Sequence, residues 1–151
     1  MQPFNPAYFN AFKASILAHN WQSGEIMISI CTYEGYPNTS ELIAQFFEQE
    51  AIHCQSADIP FTPISKNDAL TSIAFGLSTK VNYTEVGLEF SPQEQKKYAF
   101  GFLNFFNNPQ YYTIDTDIWQ QVDLSNHYYQ RGGALLIDSK QIGLFWVNDI
   151  Y

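Results

Sequence analysis

Apolar positions along the first third of the chain recur with two different periods. Phe9, Phe12 and Ile16 fall at helical spacing, with Tyr8 and Leu17 beside them, so a helix is expected over 6–19. Pro6 suits its first turn, where a missing N–H costs nothing. The segment ends near His19-Asn20, and Ser23-Gly24 reads as a turn. Glu25 to Tyr33 then alternates. Ile26, Ile28, Ile30 and Thr32 are all β-branched, and Met27, Ser29, Cys31 and Tyr33 are mostly apolar. A strand that can be covered on both faces is expected in the interior of a sheet.

The helical period returns after the turn Glu34-Gly35-Tyr36-Pro37. Asn38 with Glu41 three residues on makes a capping box in its Asn variant, so a helix is expected from there to about Cys54. Its inner face is Leu42 or Ile43, Phe46, Phe47, Ala51 and Cys54, and its outer face Glu41, Gln45, Glu48 and Gln49. Pro60 and Pro63 mark 55–64 as an irregular connection. Ser65 and Asp68 form a second capping pair ahead of Leu70, Ile73, Ala74 and Leu77. Residues 79–90 read as extended, with a phase slip near Thr84-Glu85 that implies a bulge or turn. Ser91-Pro92-Gln93-Glu94 opens a helix to about Asn107, whose Phe100 falls outside its apolar stripe.

Asn107-Asn108-Pro109 stops that helix, and Tyr111 to Ile114 has the length of a short strand. Residues 115–126 fit neither period, with one helical turn around Trp119 as the nearest match. Gly132-Gly133 reads as the turn opening the last unit. Leu135 to Ile137 and Ile142 to Val147 are strands joined by Asp138-Ser139-Lys140-Gln141, a hairpin. Helices and strands mix without a βαβ rhythm. The expected class is therefore α+β, one domain over 1–151, with a small mixed or antiparallel sheet, about four helices and a C-terminal β-hairpin.

Composition narrows the function. Apolar types make up 46% and aromatics 17% of the 151 residues, too many for a disordered chain. Fifteen acidic residues stand against seven basic ones, a net charge of -8, and Arg131 is the one arginine. That balance disfavours nucleic acid, which needs clustered Lys and Arg, and equally an anionic membrane. No apolar run approaches the roughly 20 residues of a spanning helix. The start of the chain has no basic region followed by an apolar one, so the cytoplasm is the expected compartment. Cys31 and Cys54 make no disulfide framework and are expected as buried free thiols.

Chemical sites are sparse, and neither a metal nor a cofactor is expected. His53-Cys54 with His127 lacks any metal-ligand spacing. Cys31 with His53 or His127 as base would need a stabilised thiolate, and no local motif supplies one. Asp115 and Asp117, two apart and followed by Asp123, could form a carboxylate pair with walls from Tyr111, Tyr112 and Trp119. Either the pair or the thiol would make a small hydrolase or transferase. Arg131-Gly132-Gly133 is no phosphate loop, and Arg131 is expected to pair internally with a carboxylate.

A binding surface uses more of what is unusual here. Residues 111–129 hold Tyr111, Tyr112, Trp119, Tyr128 and Tyr129 with Asp115, Asp117 and Asp123, and no Lys or Arg. Rigid aromatics anchor interfaces at low entropic cost, and carboxylates steer a basic partner. The helix with Glu41, Glu48 and Glu50 offers a second, smaller acidic face.

In size, acidity, element order and the closing run Gly133 to Asp138 and Gly143 to Val147, the chain resembles the small, single-domain immunity proteins with which bacteria neutralise polymorphic or contact-delivered toxins. The resemblance implies a protein inhibitor, not an enzyme, that binds tightly over a toxin's active cleft. Toxins acting on nucleic acid are often basic, and an acidic inhibitor can mimic their substrate's charge. The alternative to these readings is a homodimer or structural subunit joined through the apolar side of the 92–107 helix.

Overall fold

Residues 4–19, 24–36, 38–78, 90–125 and 127–150 are described by a computed structural model. Along the chain they form α1 (Pro6–Leu17), β1 (Gly24–Thr32), α2 (Thr39–Gln49), β2 (His53–Cys54), β3 (Phe61–Ile64) and α3 (Lys66–Ser78). Then come α4 (Pro92–Leu103), β4 (Gln110–Ile114), β5 (Ile118–Trp119), β6 (Tyr129–Ile137) and β7 (Gln141–Ile150). Five strands make one antiparallel sheet in the order β1-β7-β6-β4-β3, and β2 pairs with β5 in a separate ribbon. The fold is α+β, closed by the β6–β7 hairpin. The expected extended stretch 79–90, with its phase slip, falls outside the described residues except for Phe90.

Strand alternation divides the apolar side chains between two layers. Ile28, Ala134, Leu136, Phe145 and Val147 face α1, α3 and α4, meeting Phe9, Ile16, Ile73, Leu77, Tyr98 and Phe102. Met27, Leu135, Ile142, Leu144 and Trp146 face the other way, against Leu42, Ile43, Phe46 and Phe47 of α2 and Ile118 of β5. Burying each such side chain is worth about 1.5–3 kcal/mol, and both faces of the sheet are covered.

The helix starts follow their caps. Asn5 accepts from Ala7 and Tyr8, and Asn38 from Glu41. Ser65 Oγ accepts from the Asp68 amide at 3.0 Å. Ser91 and Glu94 form the complete reciprocal box.

Several expectations are corrected. β1 lies at the sheet edge, paired only with β7, because covering both faces does not require neighbours on both sides. α2 stops at Gln49: Ala51 takes φ 54, and the Ile52 amide reaches the Phe47 carbonyl at 2.8 Å, a left-handed cap that frees His53 and Cys54 for β2. Part of the 55–64 connection is edge strand β3, which tolerates Pro63. α4 ends at Leu103, with turns to Asn108. Trp119 sits on a strand and not on a helical turn.

Gly132 and Gly133 are inside β6 and not in a turn. α3 crosses so closely that a Cβ on Gly132 would lie 2.6 Å from the Gly76 amide nitrogen and the Ser72 carbonyl oxygen. Gly133 has φ +151, and its amide donates to Ser72 Oγ. Cys31 and Cys54 are half-buried free thiols, more open than expected.

Candidate functional site

The β2–β5 ribbon and the chain that follows it lie over the α2 side of the sheet, fixed by polar groups from beneath. Pairing sets His53 opposite Trp119 and Cys54 opposite Ile118, and the Gln55 amide donating to the Asp117 carbonyl extends the ladder. Ser56 and Thr116 hydroxyls meet at 3.1 Å across it.

Below the ribbon lies a buried polar network. Glu25, 8% exposed, accepts from the Gln120 and Gln121 amides at 3.0 Å each and from Asn148 Nδ2 at 3.2 Å. The same Asn148 nitrogen donates to the Ile118 carbonyl, and Trp146 Nε1 donates to Asn148 Oδ1. Gln120 Nε2 donates to the Glu50 carbonyl at the end of α2. One carboxylate and one amide of the main sheet thus position residues 118–121. Charge-assisted hydrogen bonds from backbone amides are among the strong ones.

The candidate residues of 111–129 do not all share a surface. Tyr111 packs on the three-helix side, where burial raises its hydroxyl pKa, whereas Tyr112 faces the α2 side with its ring 5.4 Å from Phe61. Asp115 is exposed and accepts from the Thr62 hydroxyl. Thr62 stands opposite Thr113, on the side that Tyr111 occupies. Asp117 is half-buried and pairs with Arg131 at 3.7 Å, the internal partner expected for that guanidinium. Asp115 and Asp117 therefore have separate partners.

On the ribbon side the structure gathers Asp117, Trp119, Asp123 and two histidines. His53 and Trp119 rings lie 6.0 Å apart, tilted by 35°. Asp123 is exposed and accepts from the Ser125 amide at 2.9 Å, while the His127 amide donates to the Leu124 carbonyl, so one tight turn carries both Asp123 and His127. The hydrogen bond from Ser125, assisted by His127 and His53, lowers the Asp123 pKa. Tyr128, next in the chain, is 85% exposed. Tyr129 starts β6 half-buried, and Glu48 is exposed on α2, which packs on the same side. The sequence offers the histidines as ligands or bases and does not show His53 as the neighbour of Trp119, because sixty-six residues separate the two along the chain.

Charge is sorted between the layers. Among the described residues, α1, α3 and α4 carry Lys13, Lys66, Lys96 and Lys97 with Asp68 and Glu94. The α2–ribbon side carries Glu41, Glu48, Glu50, Asp117 and Asp123 with Arg131 as its cation.

The thiols are poorly placed as nucleophiles. Burial, with the Glu50 carboxylate beside it, pushes Cys31 up from 9.0 to about 12. Burial also raises Cys54, with Asp117 adding to the effect. Both shifts favour the protonated form, the opposite of a reactive thiolate. Among the described residues no group of three His, Cys, Asp or Glu could hold a metal ion, and no helix is long and apolar enough to cross a membrane.

Two other concavities stand out. A cavity of about 590 Å³ at the hairpin end has Phe4, Phe105 and Phe106 as its apolar walls and Asp138, Lys140 and Gln141 at its polar side. A groove between α3 and α4 is flanked by Phe75 and Phe100, 49% and 50% exposed. No family model matches the chain, and neither the curated proteins nor the solved structures contain a significant match to it.

Proposed function

We propose that this chain is a protein-binding inhibitor that docks a basic partner on its α2–ribbon side, in the manner of an immunity protein occluding a toxin's active cleft. The observation that carries the reading is the charge of that side: among the described residues Glu41, Glu48, Glu50, Asp117 and Asp123, with the buried Glu25 beneath, stand against the guanidinium of Arg131. Trp119 and Tyr128 would supply rigid contact area, while Glu48 and Asp123 steer and orient the partner's Lys and Arg. Asp117 is engaged with Arg131 and acts by holding the ribbon.

The test is co-expression. The product of the adjacent reading frame should copurify with the chain, and its toxicity should vanish when the two are made together. Tyr128→Ala should speed dissociation, and Glu48→Lys with Asp123→Lys should slow association at low salt. Unchanged protection by all three substitutions together would remove this face from consideration.

A second reading has its own observation. The exposed Phe75 and Phe100 flank an apolar groove that a second copy could cover. Light scattering of the purified chain at twice the monomer mass, reverting in Phe100→Asp, would establish that homodimer.

A further inference from the structure

The cavity at the turn of the β6–β7 hairpin lies far from the proposed docking side. Nine residues of β6 separate it from Tyr128, about 30 Å at the rise of a strand. Its volume of about 590 Å³ is that of a ligand pocket, and its walls are the rings of Phe4, Phe105 and Phe106. The rings are held in place. Phe105 packs edge-on against Phe9 and Phe12, with centroids 5.3 Å away in each case, and Phe106 lies 5.5 Å from Phe102. The polar side is braced from two directions. From the turn after α4, the Asn107 amide donates to Asp138 Oδ2 at 2.9 Å, and the Phe105 carbonyl accepts from Gln141 Nε2. From the end of β1, the Tyr33 hydroxyl donates to the Asp138 carbonyl at 2.6 Å, and the Tyr33 amide donates to the Lys140 carbonyl at 3.0 Å. The cavity is therefore preformed in the free chain.

We propose that this cavity binds a small carboxylate with an apolar body, its head on the Lys140 ammonium and its body against the phenylalanine rings. Among the described residues the lining holds two charges, Asp138 and Lys140, and only one can take a ligand. Asp138 is spent on the fold. Its Oδ1 accepts from the Lys140 and Gln141 amides at 2.9 Å each, and its Oδ2 from the Asn107 amide and Gln141 Nε2. Those donors fill the roughly four acceptor positions of a carboxylate and leave none for a ligand ammonium. Lys140 has its backbone in the turn and its side chain exposed, and among the described residues its ammonium has no ion-pair partner. Thr32 and Asn104, exposed at the rim, add groups that can donate. The site thus offers donors and a cation beside apolar walls. A neutral apolar molecule leaves the ammonium unused, and a phosphate gains nothing from the rings. A carboxylate carrying one aromatic or short aliphatic group uses both. Burial of that group offsets the long-range repulsion of an anion by a chain of net charge -8. Nothing in this site depends on the docking side.

The test is an NMR titration of the full chain at neutral pH with phenylbutyrate, its neutral isostere phenylbutanamide, and phenylbutylamine. Phenylbutyrate should bind with a Kd on the order of 1 mM and shift the backbone amides of Phe106, Asn107, Lys140 and Gln141. The amide and the amine should bind severalfold more weakly. Lys140→Gln should bring phenylbutyrate down to the level of the amide, whereas Lys140→Arg should keep the preference. Thr32→Trp, which fills the cavity from an exposed position, should lose all three probes. Equal affinity of the wild type for the carboxylate and the amide, or tighter binding of the amine, overturns the choice of an anion. Shifts confined to other parts of the chain, or phenylbutyrate shifts that survive Lys140→Gln unchanged, overturn the site. The same spectra report whether each variant is folded, and the comparison of the three probes on the wild type decides the matter without any variant.

Discussion

Glu25 shows how far one side chain can reach. It is a carboxylate under 10% exposed, and its ligands are two successive backbone amides and the Asn148 side chain. Glu25→Gln keeps the shape but sets an NH2 group against donors. The expected cost is about 1–3 kcal/mol. Hydrogen exchange at the Gln120 and Gln121 amides should rise, with little change at the β1–β7 ladder. Unchanged exchange there would mean that the ribbon is held by other contacts. Cys31 supports a second prediction. The folded chain keeps its thiol proton up to about pH 12, whereas an unfolded chain releases it near 9.0, so the contribution to stability is present below 9.0 and lost as pH rises through the folded value. In a Cys54→Ser background, iodoacetamide at pH 8.5 should alkylate Cys31 on the order of a hundredfold more slowly than an exposed cysteine, since the thiolate is the nucleophile. A rate near that of the free thiol would revive the nucleophile reading.

At the scale of elements, the sequence is legible where a rule has its usual residue and opaque where another residue fills the position. Ser91-Pro92-x-Glu94 announced α4, and the reciprocal box is there. The end of α2 was missed because its left-handed cap is Ala51, where glycine is the usual occupant. Ala51→Gly should accordingly stabilise the protein by about 0.5–1 kcal/mol in urea denaturation, relieving the positive φ at the exposed position. Gly132 inverts the argument. Its neighbours are the backbone of α3, which cannot give way as a side-chain tip can, so Gly132→Ala should cost about 1–3 kcal/mol or more. If the first substitution destabilises or the second is neutral, the cap or the α3–β6 crossing is misread. β1 reads as an interior strand for a related reason. Apolar residues on both faces report helices above and below, and the number of strand neighbours leaves no mark on that pattern.

Across the whole molecule, a net charge of -8 says little until its position is known. Among the described residues, helices α1, α3 and α4 carry four lysines against two carboxylates, whereas α2 and the ribbon are acidic. Binding of a decalysine peptide should therefore fall severalfold on Glu48→Lys with Asp123→Lys and stay nearly constant on Lys66→Glu with Lys96→Glu, both measured at low salt, where surface charge is least screened. Equal effects of the two pairs would mean that the peptide responds to total charge alone.

The sequence by itself determined the α+β class, four helices with most of their starts, the closing hairpin and the acidic balance. Each of these is written in local periodicity, capping residues or composition. Tertiary structure alone decided that Tyr111 and Tyr112 point to opposite layers, that Asp117 spends its charge on Arg131, and that His53 stands against Trp119 across the ribbon. Those facts depend on strand pairing and on which face each strand turns to the sheet. Such choices are made by contacts between distant segments, and no window of neighbouring residues contains them.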